Sequence, residues 1–168
     1  MQTQADAFDL GRDLAALQRV PRAPPAKLFL RSALDNCERL IRTLCYHVFR
    51  IGEAFLETWA GAEYGAKIAD NEPPKSLISG DDIARYGASV WARYEVWWEA
   101  LDDRALSKVL KTYYGDTGAH QVFERVTWHS AQHCRQLAAV LERMNIKPDQ
   151  PLTPSDLAGL PLPDRLWE

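Results

Sequence analysis

His129 and His133 stand four residues apart in the run Trp128-His129-Ser130-Ala131-Gln132-His133-Cys134-Arg135-Gln136-Leu137, which otherwise reads as helix. On a helix, positions i and i+4 lie one above the other on the same face. Two imidazoles so placed can grip one metal ion, and a third donor from another helix would leave the ion partly open to water or substrate. His47 lies in an equally helical, apolar stretch and supplies that donor. A divalent ion held this way lowers the pKa of a bound water or thiol and polarises a substrate oxygen. Imidazole suits zinc, nickel, iron and copper alike, so the ligands do not choose the ion. No carboxylate stands three residues before any of the histidines, which excludes a ferritin-like di-iron centre. The competing reading is three core histidines, each satisfied by a carbonyl or hydroxyl.

The neighbouring residues divide by the face of the helix they occupy. Gln136 falls on the histidine face, three residues after His133. It is the candidate catalytic residue, placed to bond a ring nitrogen, a bound water or a substrate; an interhelical hydrogen bond is the alternative. Cys134 is a poor fourth ligand, because adjacent helical residues point about 100° apart. Arg135 reads as a solvated charge, with a bond to the tail as the alternative, and Glu53 reads as a surface or rim residue. His120 lies nine residues before His129, on the opposite face, and is left out of the site.

The elements that must position these groups are helical. A first helix is expected over residues 4–19, ended by Pro21, Pro24 and Pro25. A second is expected over 31–59, with Leu34, Cys37, Ile41, Leu44, Val48, Ile51 and Phe55 stepping by three and four, and with His47 on the edge of that stripe. A third starts near Ser79 or Asp81 and carries Ile83, Gly87, Val90, Tyr94, Trp97 and Leu101. A fourth starts after Gly118, presents Val122, Val126, His129, His133, Leu137, Val140 and Met144 on one face, and ends at Asn145 and Pro148. No segment gives a convincing strand pattern. Residues 145–168 are rich in proline and leucine, too apolar for a solvated tail, and are expected to wrap the helices with one short turn near 155–158. The expected fold is all-α, a four-helix bundle in one domain over residues 1–168.

Composition bounds the function. The 168 residues carry 46% hydrophobic and 26% charged side chains and a net charge of -3, at a pI near 5.8. Without a basic patch, nucleic acid is not an expected partner. No apolar run is long enough to span a membrane, and the N-terminus lacks the basic start and apolar stretch of a signal peptide, so a cytoplasmic location is expected. Cys37, Cys45 and Cys134 are odd in number and lack CxxC spacing, so they read as small buried apolar residues. Trp91, Tyr94, Trp97 and Trp98 read first as core, and some of the six tryptophans could line a cleft or a subunit contact.

Tyr46-His47-Val48 in the second helix, followed by His129 and His133 in the fourth and then Arg135-Gln136-Leu137, resembles the DinB/YfiT-like metalloenzyme superfamily. Cys134-Arg135-Gln136 departs from that family's commoner His-Arg-Gly-Gln form. The resemblance implies an up-down-down-up four-helix bundle, often dimeric, with nickel or zinc bound by His47, His129 and His133. It also implies chemistry of the thiol-dependent S-transferase or isomerase type, with a low-molecular-weight thiol as co-substrate. The function expected on both grounds is therefore a divalent-metal enzyme acting on a small electrophilic substrate. A homodimer is expected, since long apolar helix faces fit one. A non-catalytic metal-binding or stress-response interaction protein is the alternative.

Overall fold

The computed structural model describes residues 35–68, 72–148 and 151–167, with side chains from residue 41 onward. The helix expected over residues 4–19, its proline break, and the side chains of Leu34 and Cys37 lie outside the described residues. Among the described residues three long helices dominate: α1 (Asp35–Trp59), α2 (Gly80–Glu99) and α3 (Ala119–Arg143). A fourth, α4 (Pro154–Leu157), is a single turn. Helix α1 packs against both α2 and α3, so nearly its whole circumference from Cys45 to Thr58 is buried. That is why His47 is buried and does not sit at the edge of a stripe: the helix has a partner on each side.

The helix ends follow local chemistry. The Ser79 hydroxyl accepts from the Asp82 amide, and the Asp82 carboxylate accepts from the Ser79 amide, a reciprocal cap that fixes the start of α2. Helix α3 stops where Asn145 takes a left-handed conformation (φ 56°), which asparagine tolerates better than most residues. Gly87 on α2 is a contact residue: a Cβ there would lie 2.5 Å from the tip of the Phe49 ring, so glycine is what lets α1 and α2 approach this closely.

The core is aromatic at its centre. The Phe55 and Phe123 rings sit 5.0 Å apart, Tyr94 stacks on Phe55 at 6.2 Å, and Trp97 lies edge-on to both Phe55 and Tyr94. All three long helices contribute to this cluster, and the buried Tyr94 hydroxyl donates to the Gly52 carbonyl at 2.8 Å. Of the expected stripe Ile83, Gly87, Val90, Tyr94, Trp97 and Leu101, the first four are buried in α2, Trp97 is only partly buried, and Leu101 is buried just past the helix end.

Two expectations need correction. The chain is mostly helical but not purely so. An antiparallel hairpin, β1 (Val109–Thr112) and β2 (Gly115–Gly118), turns on Tyr113 and Tyr114. Four residues of β1 alternate out and in, burying only Leu110 and Thr112, and β2 is Gly-Asp-Thr-Gly, so no apolar alternation long enough to recognise exists. Tyr64 extends the hairpin through two main-chain bonds, to Lys111 and from Tyr113. The hairpin delivers the chain directly into α3, where the Ala119 amide donates to the Lys108 carbonyl at 2.7 Å.

The second correction concerns which face of α3 is buried. The buried set is Ala119, Val122, Phe123, Val126, Thr127, Ser130, Ala131, Gln132, Cys134 and Leu141, whereas Leu137 and Val140 are only partly covered and Met144 is exposed. Small polar residues mislead a hydrophobicity pattern: Thr127 satisfies its hydroxyl on the Phe123 carbonyl at 2.9 Å and so packs like an apolar residue. The histidines therefore lie along the border of the buried stripe.

Phe123 is fully buried and touches aromatic rings from both other long helices. We expect Phe123→Ala to cost about 3–5 kcal/mol in chemical denaturation, the range for truncating a packed core phenylalanine. A loss under about 1 kcal/mol would show that this cluster is not the centre of the core.

Candidate metal centre

His47 comes from α1, and His129 and His133 from adjacent turns of α3. Ser130, between the paired histidines, is fully buried and turns its hydroxyl toward the Val48 carbonyl at 3.4 Å, next to His47. A small residue at this point lets the two backbones come close, and that closeness lets the imidazoles meet. The His47 ring centroid lies 5.4 Å from that of His129 and 5.1 Å from that of His133, while the α3 pair is 4.5 Å apart. One ring nitrogen from each of the three falls within 4.8 Å of the others. Among the described residues no other histidine, cysteine, aspartate or glutamate joins the group.

The donor set fits a metal ion of the kind that prefers imidazole. Two nitrogens on one tetrahedral ion, each about 2.1 Å from it, stand about 3.4 Å apart. His129 Nε2 and His133 Nε2 are 2.7 Å apart, a hydrogen bond between two imidazoles in which one donates and the other accepts. Small ring rotations, opening this pair and drawing in His47, would reach a shared ion.

Burial disfavours the protonated form of the two α3 histidines, as suits ligands, which must be neutral. Burial is the main cause that holds the His129 pKa down to about 4, and the neighbouring His133 and His47 and the Arg125 charge push the same way. Burial also lowers His133, opposed by its bond to Gln136. Trp128 lies over His129 with ring centroids 5.7 Å apart, covering one side of the site.

Gln136 bonds a ring nitrogen, one of the three roles open to it. Its Oε1 lies 2.7 Å from His133 Nδ1. Cys134 turns away into an apolar cluster with Val48, Phe49 and Leu152, as a residue next to a histidine on a helix must. Cys45 and Cys134 are free and buried; burial raises the Cys45 thiol to about 12 and Cys134 further still. Arg135 is not a solvated charge: it donates to Gln132 Oε1 at 2.8 Å and to the Pro163 carbonyl at 3.1 Å. Glu53 is no rim residue either. It accepts from Tyr86 at 2.7 Å, Arg93 at 2.6 Å and Arg50 at 3.4 Å, tying α1 to α2. His120 stands at the second position of α3, outside the group.

Gln132 was not singled out from the sequence. It is buried, and its amide nitrogen donates to the Arg165 and Leu166 carbonyls at 3.2 and 2.9 Å. The available signal was a second glutamine beside His133, close to a tail whose prolines leave carbonyls without helical partners.

The chain matches no family model, no curated protein and no solved structure. Among its described residues no helix is long and apolar enough to cross a membrane.

A pH dependence follows from His129. The unfolded chain takes up its proton near the ordinary value of 6.5, the folded chain only near about 4. Between those values the unfolded state binds more protons, so stability that is fully present above about 6.5 is lost as pH falls toward about 4. Denaturation of the metal-free protein at stepped pH is expected to show that loss, and His129→Asn is expected to make it shallower. Identical slopes for the two proteins would contradict the assignment.

Proposed function

We propose that this protein is a divalent-metal-dependent enzyme that uses His47, His129 and His133 as its metal ligands and acts on a small electrophilic substrate. The observation that carries the reading is the convergence of three imidazoles from two helices, within 4.8 Å, with no fourth protein ligand among the described residues. Nickel and zinc suit the donors. An ion there would supply Lewis acidity, lowering the pKa of a bound thiol or water. The chain's own residues disfavour protonation of His129 and His133 by burying them, cover His129 with Trp128 and tie His133 to Gln136. The described thiols, Cys45 and Cys134, are buried with raised pKa values, which makes them poor nucleophiles; the low-molecular-weight thiol co-substrate of S-transferase or isomerase chemistry is what the resemblance to the DinB/YfiT-like superfamily implies.

The resemblance to the DinB/YfiT-like superfamily supports the same reading. On it, the chain forms one domain, an up-down-down-up four-helix bundle, and the protein works as a cytoplasmic homodimer on small molecules, without nucleic acid or membrane partners.

Elemental analysis of protein purified without a histidine tag is expected to find about one nickel or zinc ion per chain. His129→Ala is expected to weaken metal binding by more than about 100-fold, beyond the range for outer partners of a ligand. The same change should abolish turnover in a screen of bacterial thiols against electrophiles. Stoichiometric metal retained by the variant would reject the ligand set. Metal uptake without turnover for any thiol pair would favour a non-catalytic metal-binding protein.

A further inference from the structure

The C-terminal segment does more than cover apolar surface. Three of its carbonyls are held by side chains of α3: Pro163 by Arg135, Arg165 by Gln132, and Leu166 by both Gln132 and Gln136. The orientation of both glutamines follows from what their partners can do. A guanidinium only donates, so the Gln132 group facing Arg135 is its oxygen, and its nitrogen faces the tail. A main-chain carbonyl only accepts, so the Gln136 group 2.9 Å from the Leu166 oxygen is its nitrogen. The Gln136 oxygen must then face His133 Nδ1, at 2.7 Å. An oxygen without a hydrogen can only accept, so Nδ1 carries the proton. A neutral imidazole has one N–H, which leaves His133 Nε2 with its lone pair bare. That nitrogen is the one 2.7 Å from His129 Nε2, where the donor is consequently His129.

We propose that the strap formed by residues 163–166 is a working part of the histidine site. Through the Leu166 carbonyl it sets the Gln136 amide, and through Gln136 it fixes the His133 tautomer that presents Nε2 as a ligand. Gln136 is thereby a positioning residue. The proposal rests on the reading of the three histidines as a metal site, but its first link, the tautomer, exists without metal. Partners of this kind fix ring orientation and tautomer, and their loss costs about 10–100-fold in metal affinity. The strap is joined to α3 only through the residues after Arg143, so any event that lifts it also frees the amide to turn over. Site readiness is coupled to tail docking.

The test combines nitrogen-15 NMR of the His133 ring in the metal-free full-length chain with affinities for nickel or zinc alone. In the wild-type chain His133 is expected to carry its proton on Nδ1. Gln136→Leu is expected to lose that preference and to bind metal about 10–100-fold more weakly, with its thermal midpoint little changed. Gln136→Glu keeps an acceptor for Nδ1–H and has no amide to turn the wrong way round, so it should recover most of the loss. Gln132→Leu, which removes two bonds from the strap, should weaken metal binding in the wild-type chain and have little further effect in the Q136E background. A wild-type His133 protonated on Nε2 would overturn the proposal. So would an equal effect of Gln132→Leu in both backgrounds, since that would mark a general structural role. A wild-type chain that takes up no ion would sink the metal reading alone, and the ring NMR would still decide whether the strap sets the tautomer.

Discussion

Imidazoles do not gather inside a protein without compulsion. Each loses water on burial, and nearness to the others further disfavours the protonated state. Here the compulsion is the contact between α1 and α3. Val48, Ala131 and Cys134 are buried between the helices, and Ser130 keeps the backbones close. The aromatic knot of Phe55, Tyr94, Trp97 and Phe123 fixes the same helices further along. Moving either helix by a fraction of a turn would separate His47 from the α3 pair. The packing of the core and the geometry of the site are therefore one constraint.

A second layer surrounds the first. Polar groups close to the histidines are matched by partners with fixed chemical roles: Gln136 by the Leu166 carbonyl, Gln132 by Arg135 and two carbonyls. Prolines at 154, 161 and 163 keep much of the tail out of regular structure, and an irregular backbone has carbonyls to spare. A proline-rich segment that looks like a loose end on composition thus becomes the natural acceptor for buried glutamines. On the opposite side of α1, Glu53 gathers Tyr86, Arg93 and Arg50 and fixes α2 by the same logic.

The three long described helices and the histidine constellation were legible because they depend on local periodicity. His129 and His133 share a face by spacing alone, and the Ser79 cap and the stop at Asn145 are short-range chemistry. What was hidden depended on contacts distant in sequence. The hairpin, too short to show an apolar alternation of its own, is extended by Tyr64, some fifty residues upstream of β2. The buried face of α3 was shifted because Thr127 and Ser130 bury their hydroxyls on carbonyls. Arg135 and Gln132 find partners about thirty residues away, in a segment with no period to read.

The central claim is that three imidazoles from two helices share one ion. Anomalous diffraction from crystals of the protein loaded with nickel or zinc, recorded on both sides of the metal's absorption edge, tests it most directly. The account predicts one peak per chain, within bonding distance of ring nitrogens from His47, His129 and His133. A peak bounded by other residues, or His47 left out of reach of an ion held by the α3 pair, would contradict it.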